Sequence, residues 1–255
     1  IKIQIFGYYF NSPLFLAIEN EKCFNSQRFF IQRSDKISYA DIYIVHYFSY
    51  NQFIREYLRK NIPEKKILII VSLEPPNVAI EENLNGNLFH EKFFYWIISY
   101  YRSSFFSIPN GNYIFSNKNK NDYTNIVNQF GSRKNACLII INECHSSNNL
   151  RFEYIQELQN YFSVDVVGGC VNKAVPSSRF QTLLKNYKFS LAFENSLCYE
   201  YTTNKYWDSI QSGAIPIVMG FGKNLSHLIP NSFINIFDFE TPKLLAQHLN
   251  LVSSN

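Results

Sequence analysis

Three short stretches of this 255-residue chain hold residue types that could bind an anion or orient a sugar hydroxyl. Asn142, Glu143 and Cys144 follow an apolar run and lead to Arg151, at the opening of a helix-like segment. A guanidinium there suits a diphosphate, because free N–H groups and fixed positive charge act together; a surface ion pair is the competing reading. Glu194, Asn195 and Ser196 follow a second apolar run. They can orient sugar hydroxyls or simply cap a turn. Tyr201-Thr202-Thr203-Asn204-Lys205 opens another helix, with either Thr able to cap it. Lys205 in a first turn opposes the helix dipole, which suggests a bound anion there or, alternatively, a solvated lysine.

The elements that must carry these residues alternate. Apolar, strand-length runs occupy 2–6, 41–47, 66–72, 137–141, 164–167, 188–193 and 214–219. Helical spacing covers 51–61, which Pro63 stops, and 150–162, with Tyr154, Ile155, Leu158, Tyr161 and Phe162 on one face. Shorter helices fit 179–186 and 203–212, the latter ended by Gly213. Gly168-Gly169 closes the strand before it. Alternation of this kind implies parallel βαβ units in an α/β, doubly wound fold. The polar stretch 116–133 is the expected boundary, giving domains over 1–130 and 131–255.

Composition narrows the classes. Hydrophobic residues at 46% and charged ones at 17% describe a globular chain. A formal charge of +4 is too small and scattered for a nucleic-acid footprint. No apolar run reaches the length of a membrane helix. The first residue is Ile1, so the chain reads as a fragment, and any membrane segment is expected outside it. GxGxxG, Walker, nucleophile-elbow, HExxH and DxD patterns are missing, which argues against dehydrogenases, P-loop kinases and zinc proteases. The five cysteines lack zinc-ligand spacing and read mostly as small buried residues. Asn224-Leu225-Ser226 is a glycosylation sequon.

The stretch YKFSLAFENSLCYEYTTNKYWDSIQSGAIPIVMG, 187–220, resembles the donor-binding signature of the α1,3-fucosyltransferase family, glycosyltransferase family 10. NSFINIFDFETPKLLAQHL (231–249), FYWIISYYRSSFFSIPNG (94–111) and Leu73-Glu74-Pro75-Pro76-Asn77 resemble further family motifs in the same order, so the similarity covers roughly 39–249. The resemblance implies a GT-B architecture of two Rossmann-like domains facing across a cleft, acceptor side first. It implies inverting transfer of fucose from GDP-fucose to a hydroxyl of an N-acetylglucosamine-containing glycan or glycoprotein, in α1,3 linkage. Glu74 is the implied base, and Arg151 and Lys205 the diphosphate clamp. Glu194, Asn195 and Tyr201 are the implied donor contacts, with Tyr100 and Arg102 on the acceptor side. No cofactor is required by this reading; the two cations can replace a metal, which leaves room for Mn²⁺ stimulation. The family's setting implies a Golgi-lumen, type II membrane protein in full-length form.

Departures are specific. The family's Thr-Glu-Lys reads Thr203-Asn204-Lys205, so an amide stands where a carboxylate normally faces the transferred sugar. Losing one such electrostatic contact costs ~2.7–4 kcal/mol by analogy with oxyanion-hole deletions. A catalytically impaired homologue that keeps sugar-nucleotide or glycan binding is therefore the second reading. One Arg and both acids of the family's SYRRDSD are replaced over 99–105, and Gly169 stands where many members have Arg. The family usually continues past Leu249 with a helical, cysteine-bearing segment.

Overall fold

The computed structural model describes residues 2–6, 8–9, 12–13, 30–33, 39–47, 56, 60–61, 66–75, 93–114, 128–142, 151–220 and 225–254. Contacts divide the chain into two compact units, Ile1–Pro109 and Asn110–Asn255.

The first unit is built on a sheet of six strands, β1 (Lys2–Phe6), β4 (Phe30–Arg33), β5 (Ile42–His46), β6 (Lys66–Ser72), β7 (Phe93–Ser99) and β8 (Phe106–Ser107). A small antiparallel ladder joins β2 (Tyr8–Tyr9) to β3 (Ser12–Pro13). The main sheet runs β4-β1-β5-β6-β7-β8 and every ladder in it is parallel. Side chains alternate across a strand, so Ile3, Ile5, Ile69, Val71 and Ile98 gather in one core cluster. Gln4, Tyr43, Val45, Leu68 and Ile70, whose positions alternate with these, are buried as well. Burial on both faces is what a parallel sheet demands, and it explains why these runs are continuously apolar.

The second unit carries β9 (Lys134–Ile140), β10 (Val164–Val167), β11 (Tyr187–Phe193), β12 (Ile215–Met219) and β13 (Ile234–Asn235). Their order is β10-β9-β11-β12-β13, again all parallel. Its helices are α1 (Arg151–Gln159), α2 (Phe180–Leu184), α3 (Asn204–Ser212) and α4 (Pro242–Ser254). Ile139, Leu191, Phe193, Ile217 and Met219 pack with Ile155 and Leu158 of α1 and Leu245 and Leu249 of α4. Ala192 and Val218, one position out of phase, pack instead with Tyr206 of α3 and with Leu225 and Leu228. Helices therefore cover both faces. The α/β, doubly wound expectation is met in the second unit, and the first shows the parallel sheet that the expectation calls for.

Two details of the second unit differ from expectation. Tyr161 is 45% exposed, because α1 ends at Gln159 and the following turn rotates it off the face that buries Ile155 and Leu158. The helix expected over 179–186 is shorter, since a 3-10 turn at Ser177–Arg179 precedes α2. Strands β4, β7 and β8 and helix α4 carry no sequence expectation. Pro63 and most of 51–61 and 116–133 lie outside the described residues.

Glycine is required where two strand ends meet. Gly168, just past β10, has φ 118°, and a Cβ there would sit 2.2 Å from the Ile141 carbonyl oxygen. The same turn donates Cys170 N–H to Ile141 O at 3.2 Å and Gly169 N–H to Asn142 Oδ1 at 3.1 Å. The start of the loop after β9 is thus stitched to the turn after β10.

Candidate functional site

Strand order in the second unit reverses between β9 and β11: the chain steps outward to β10, then returns past β9 to build β11, β12 and β13. Open parallel sheets bind ligands at the carboxyl ends of the strands that flank such a reversal. All three stretches selected from the residues alone belong to the connections that follow β9 and β11. One runs from Asn142 to α1, and the other from Glu194 to α3.

Arg151 is the first residue of α1 and is only 2% exposed. Its guanidinium lies 5.2 Å from the Phe152 ring centroid. A buried cation at the positive end of a helix strongly favours an anion beside it. Glu143 and Cys144 lie outside the described residues.

After β11 the backbone carries Glu194 (buried), Asn195 (half-buried) and Ser196 (buried). The Glu194 carboxylate faces the opening of α3. Its Oε1 accepts Thr203 N–H at 2.7 Å, and the Thr203 hydroxyl donates to both carboxylate oxygens, at 3.0 and 2.9 Å. Lys205 Nζ donates to Glu194 Oε2 at 2.7 Å and to Thr203 Oγ1 at 3.1 Å. The anion that the first-turn lysine calls for is thus supplied from within the chain. Thr203 is the N-cap, its oxygen facing Lys205 N–H at 3.5 Å. The solvated-lysine alternative is overturned by this ion pair. Asn204, the first residue of α3, is exposed.

Tyr201 is buried and donates its N–H to Cys198 O at 3.2 Å. Glu200 before it has φ 56°, a left-handed conformation that a non-glycine residue adopts only under constraint. Beside it, Thr202 Oγ1 and His227 Nε2 share a hydrogen bond of 2.8 Å. Sequence reasoning passed over Thr203's double role and the Thr202–His227 contact. The first follows from the Thr–Lys spacing at a helix start; the second joins residues 25 apart and leaves no local signal.

In the first unit Glu74 is half-buried just beyond the carboxyl end of β6, and its backbone carbonyl accepts the Ser72 hydroxyl at 3.2 Å. Tyr100, one residue past β7, is buried, whereas Arg102 is exposed on the turn that follows. The Ser99 and Ser104 hydroxyls bond each other, and Ser99 Oγ accepts Tyr101 N–H at 3.1 Å, which fixes that turn. Asn224 lies outside the described residues.

Among the described residues there is no group of three or more His, Cys, Asp or Glu that could hold a metal. No described helix is long and apolar enough to cross a membrane. Cys137 is a buried thiol whose pKa burial pushes well up. Cys170 is disulfide-bonded.

Residues 130–255 match the family profile described as Glycosyltransferase family 10 (fucosyltransferase) C-term. That segment holds the whole second sheet, with the β9–β11 reversal inside it. The chain belongs to glycosyltransferase family 10. Within this fucosyltransferase family, the 4-galactosyl-N-acetylglucosaminide 3-alpha-L-fucosyltransferase FUT6 of Gorilla gorilla gorilla is 40% identical over 105 residues, 40% of this chain and 29% of that one. Alpha-(1,3)-fucosyltransferase 4 of Bos taurus is 30% identical over 178 residues, 68% of this chain and 43% of that one. The match therefore spans less than half the length of these curated relatives. A solved α1,3-fucosyltransferase, with GDP-fucose, superposes with TM-score 0.62 at 17% identity, covering all of this chain and 78% of that one. At that identity the likeness establishes the GT-B-type fold.

Proposed function

We propose that the chain is the catalytic region of an inverting α1,3-fucosyltransferase, transferring fucose from GDP-fucose to a hydroxyl of an N-acetylglucosamine-containing glycan. One observation carries the reading: two cations, Arg151 and Lys205, stand at helix N-termini on the loops that flank the strand-order reversal between β9 and β11. As the bond from the anomeric carbon to the β-phosphate oxygen breaks, negative charge builds on GDP. The two cations and the α1 and α3 N-termini offset that charge. Asn195 and Tyr201 complete the donor side. Glu74 takes the proton from the acceptor hydroxyl as that oxygen attacks the anomeric carbon from the opposite face. Tyr100 and Arg102 shape the acceptor side, Tyr100 through packing. The charge work can be done without a metal, and Mn²⁺ stimulation is compatible with it. Residues 1–130 and 131–255 act as acceptor and donor domains, Asn224 is a glycosylation site, and the full-length protein resides in the Golgi lumen as a type II membrane protein. The test is GDP-fucose binding in wild type and Arg151→Ala. Affinity should fall about tenfold or more in the variant, and equal binding would overturn the site.

A second reading is favoured by Asn204, an exposed amide at the mouth of α3 where the family has a carboxylate. In that reading the donor binds but transfer is slow. Asn204→Glu separates the two. A rise in turnover of about a hundredfold identifies an impaired enzyme. An unchanged rate identifies the amide as sufficient.

A further inference from the structure

Resting on the donor-site reading above, we infer that Glu194 is a positioning residue for Lys205 and makes no contact with the sugar nucleotide. The carboxylate is itself almost wholly buried, its side chain 4% exposed against 34% for that of Lys205. Both of its oxygens are engaged with the opening of α3: Thr203 N–H and Oγ1 on Oε1, Thr203 Oγ1 and Lys205 Nζ on Oε2. A carboxylate offers about four lone-pair directions, and these contacts take up four acceptor interactions. Only the lysine has an open side.

The physical consequence is a fixed cation. A free lysine has four rotatable bonds and loses much of its binding energy to ordering. Here the ammonium is tied to a buried carboxylate at 2.7 Å and to the N-cap hydroxyl at 3.1 Å, so two of its three N–H donors are committed. The third remains for a phosphate oxygen, on the exposed side of the group. The same carboxylate supplies negative charge at the positive end of α3 while no ligand is bound. Glu194 thereby offsets the repulsion that a first-turn lysine would otherwise feel, and keeps Lys205 in place until the nucleotide arrives. Thr203 is the joint of this arrangement, since its hydroxyl touches both partners.

A double-mutant cycle on GDP affinity, read by calorimetry with a thermal melt for every protein, tests the inference. Wild type, Glu194→Gln, Lys205→Met and the double variant are compared. Glu194→Gln should weaken GDP binding about tenfold while Lys205 is present, and should have no further effect once Lys205 is Met. Equal weakening in both backgrounds would show that Glu194 acts on the helix rather than through the lysine, and would overturn the inference. So would unchanged or tighter GDP binding by Glu194→Gln. Should Lys205→Met melt early for want of a partner to Glu194, Lys205→Gln replaces it in the cycle, with the same two outcomes. A folded wild type that binds no GDP would instead sink the donor-site reading itself.

Discussion

Glu74 and His46 show how position decides what a titratable side chain does. Glu74, the proposed base, stands half-buried just beyond the carboxyl end of β6. Glu74→Gln should lower kcat by about a hundred- to ten-thousandfold and leave GDP affinity unchanged, as steady-state kinetics and calorimetry on one preparation would report. His46 ends β5 with no exposed surface, and burial lowers its pKa from 6.5 to about 4. The unfolded chain then takes up a proton before the folded one as pH falls. The stability His46 contributes as a neutral ring is full above pH 6.5 and is lost progressively toward pH 4, by about 3 kcal/mol in all. Urea unfolding of wild type and His46→Gln between pH 7 and 4.5 checks this. The variant should show a flatter slope, and parallel curves would contradict it.

At the scale of elements, the strands were largely legible because a sheet buried on both faces needs continuous Ile and Val runs. The expected 2–6, 66–72 and 164–167 coincide with β1, β6 and β10. The end of α3 was legible through Gly213, which takes φ 73° as its C-cap. Helix α4 went unread although Leu245, Ala246 and Leu249 bury at helical spacing, because its opening Thr241-Pro242 was taken up as part of a family motif. Long-range contacts had no local trace. Tyr187 OH donates to Asp165 Oδ2 at 2.7 Å and Lys134 Nζ pairs with the same carboxylate, joining β9, β10 and β11. Gly111 lies against the Trp207 indole of α3, and a Cβ there would come within 2.3 Å of the ring. Gly111→Ala should therefore destabilise the protein by about 1–3 kcal/mol through forced repacking. A lowered midpoint in chemical denaturation with an unchanged slope is the expected observation. An unchanged midpoint would show that the ring yields freely.

At the scale of the molecule, two parallel sheets share one plan. Each reverses strand order once, between β1 and β5 in the first unit and between β9 and β11 in the second. That repetition was only partly visible in the sequence, where alternation gives the class of fold but not the strand order. Strand order is what singles out the β9–β11 reversal and brings the elements that carry Arg151 and Lys205 to neighbouring strand ends. The proposed sugar-nucleotide site adds the family's ligand to what physics alone describes as an anion site. The most direct test is GDP-fucose binding and turnover on one preparation, by calorimetry and by GDP release with an N-acetyllactosamine acceptor. Saturable binding is expected, with GDP released and fucose transferred in equal amounts. A folded protein that binds no GDP-fucose would contradict it.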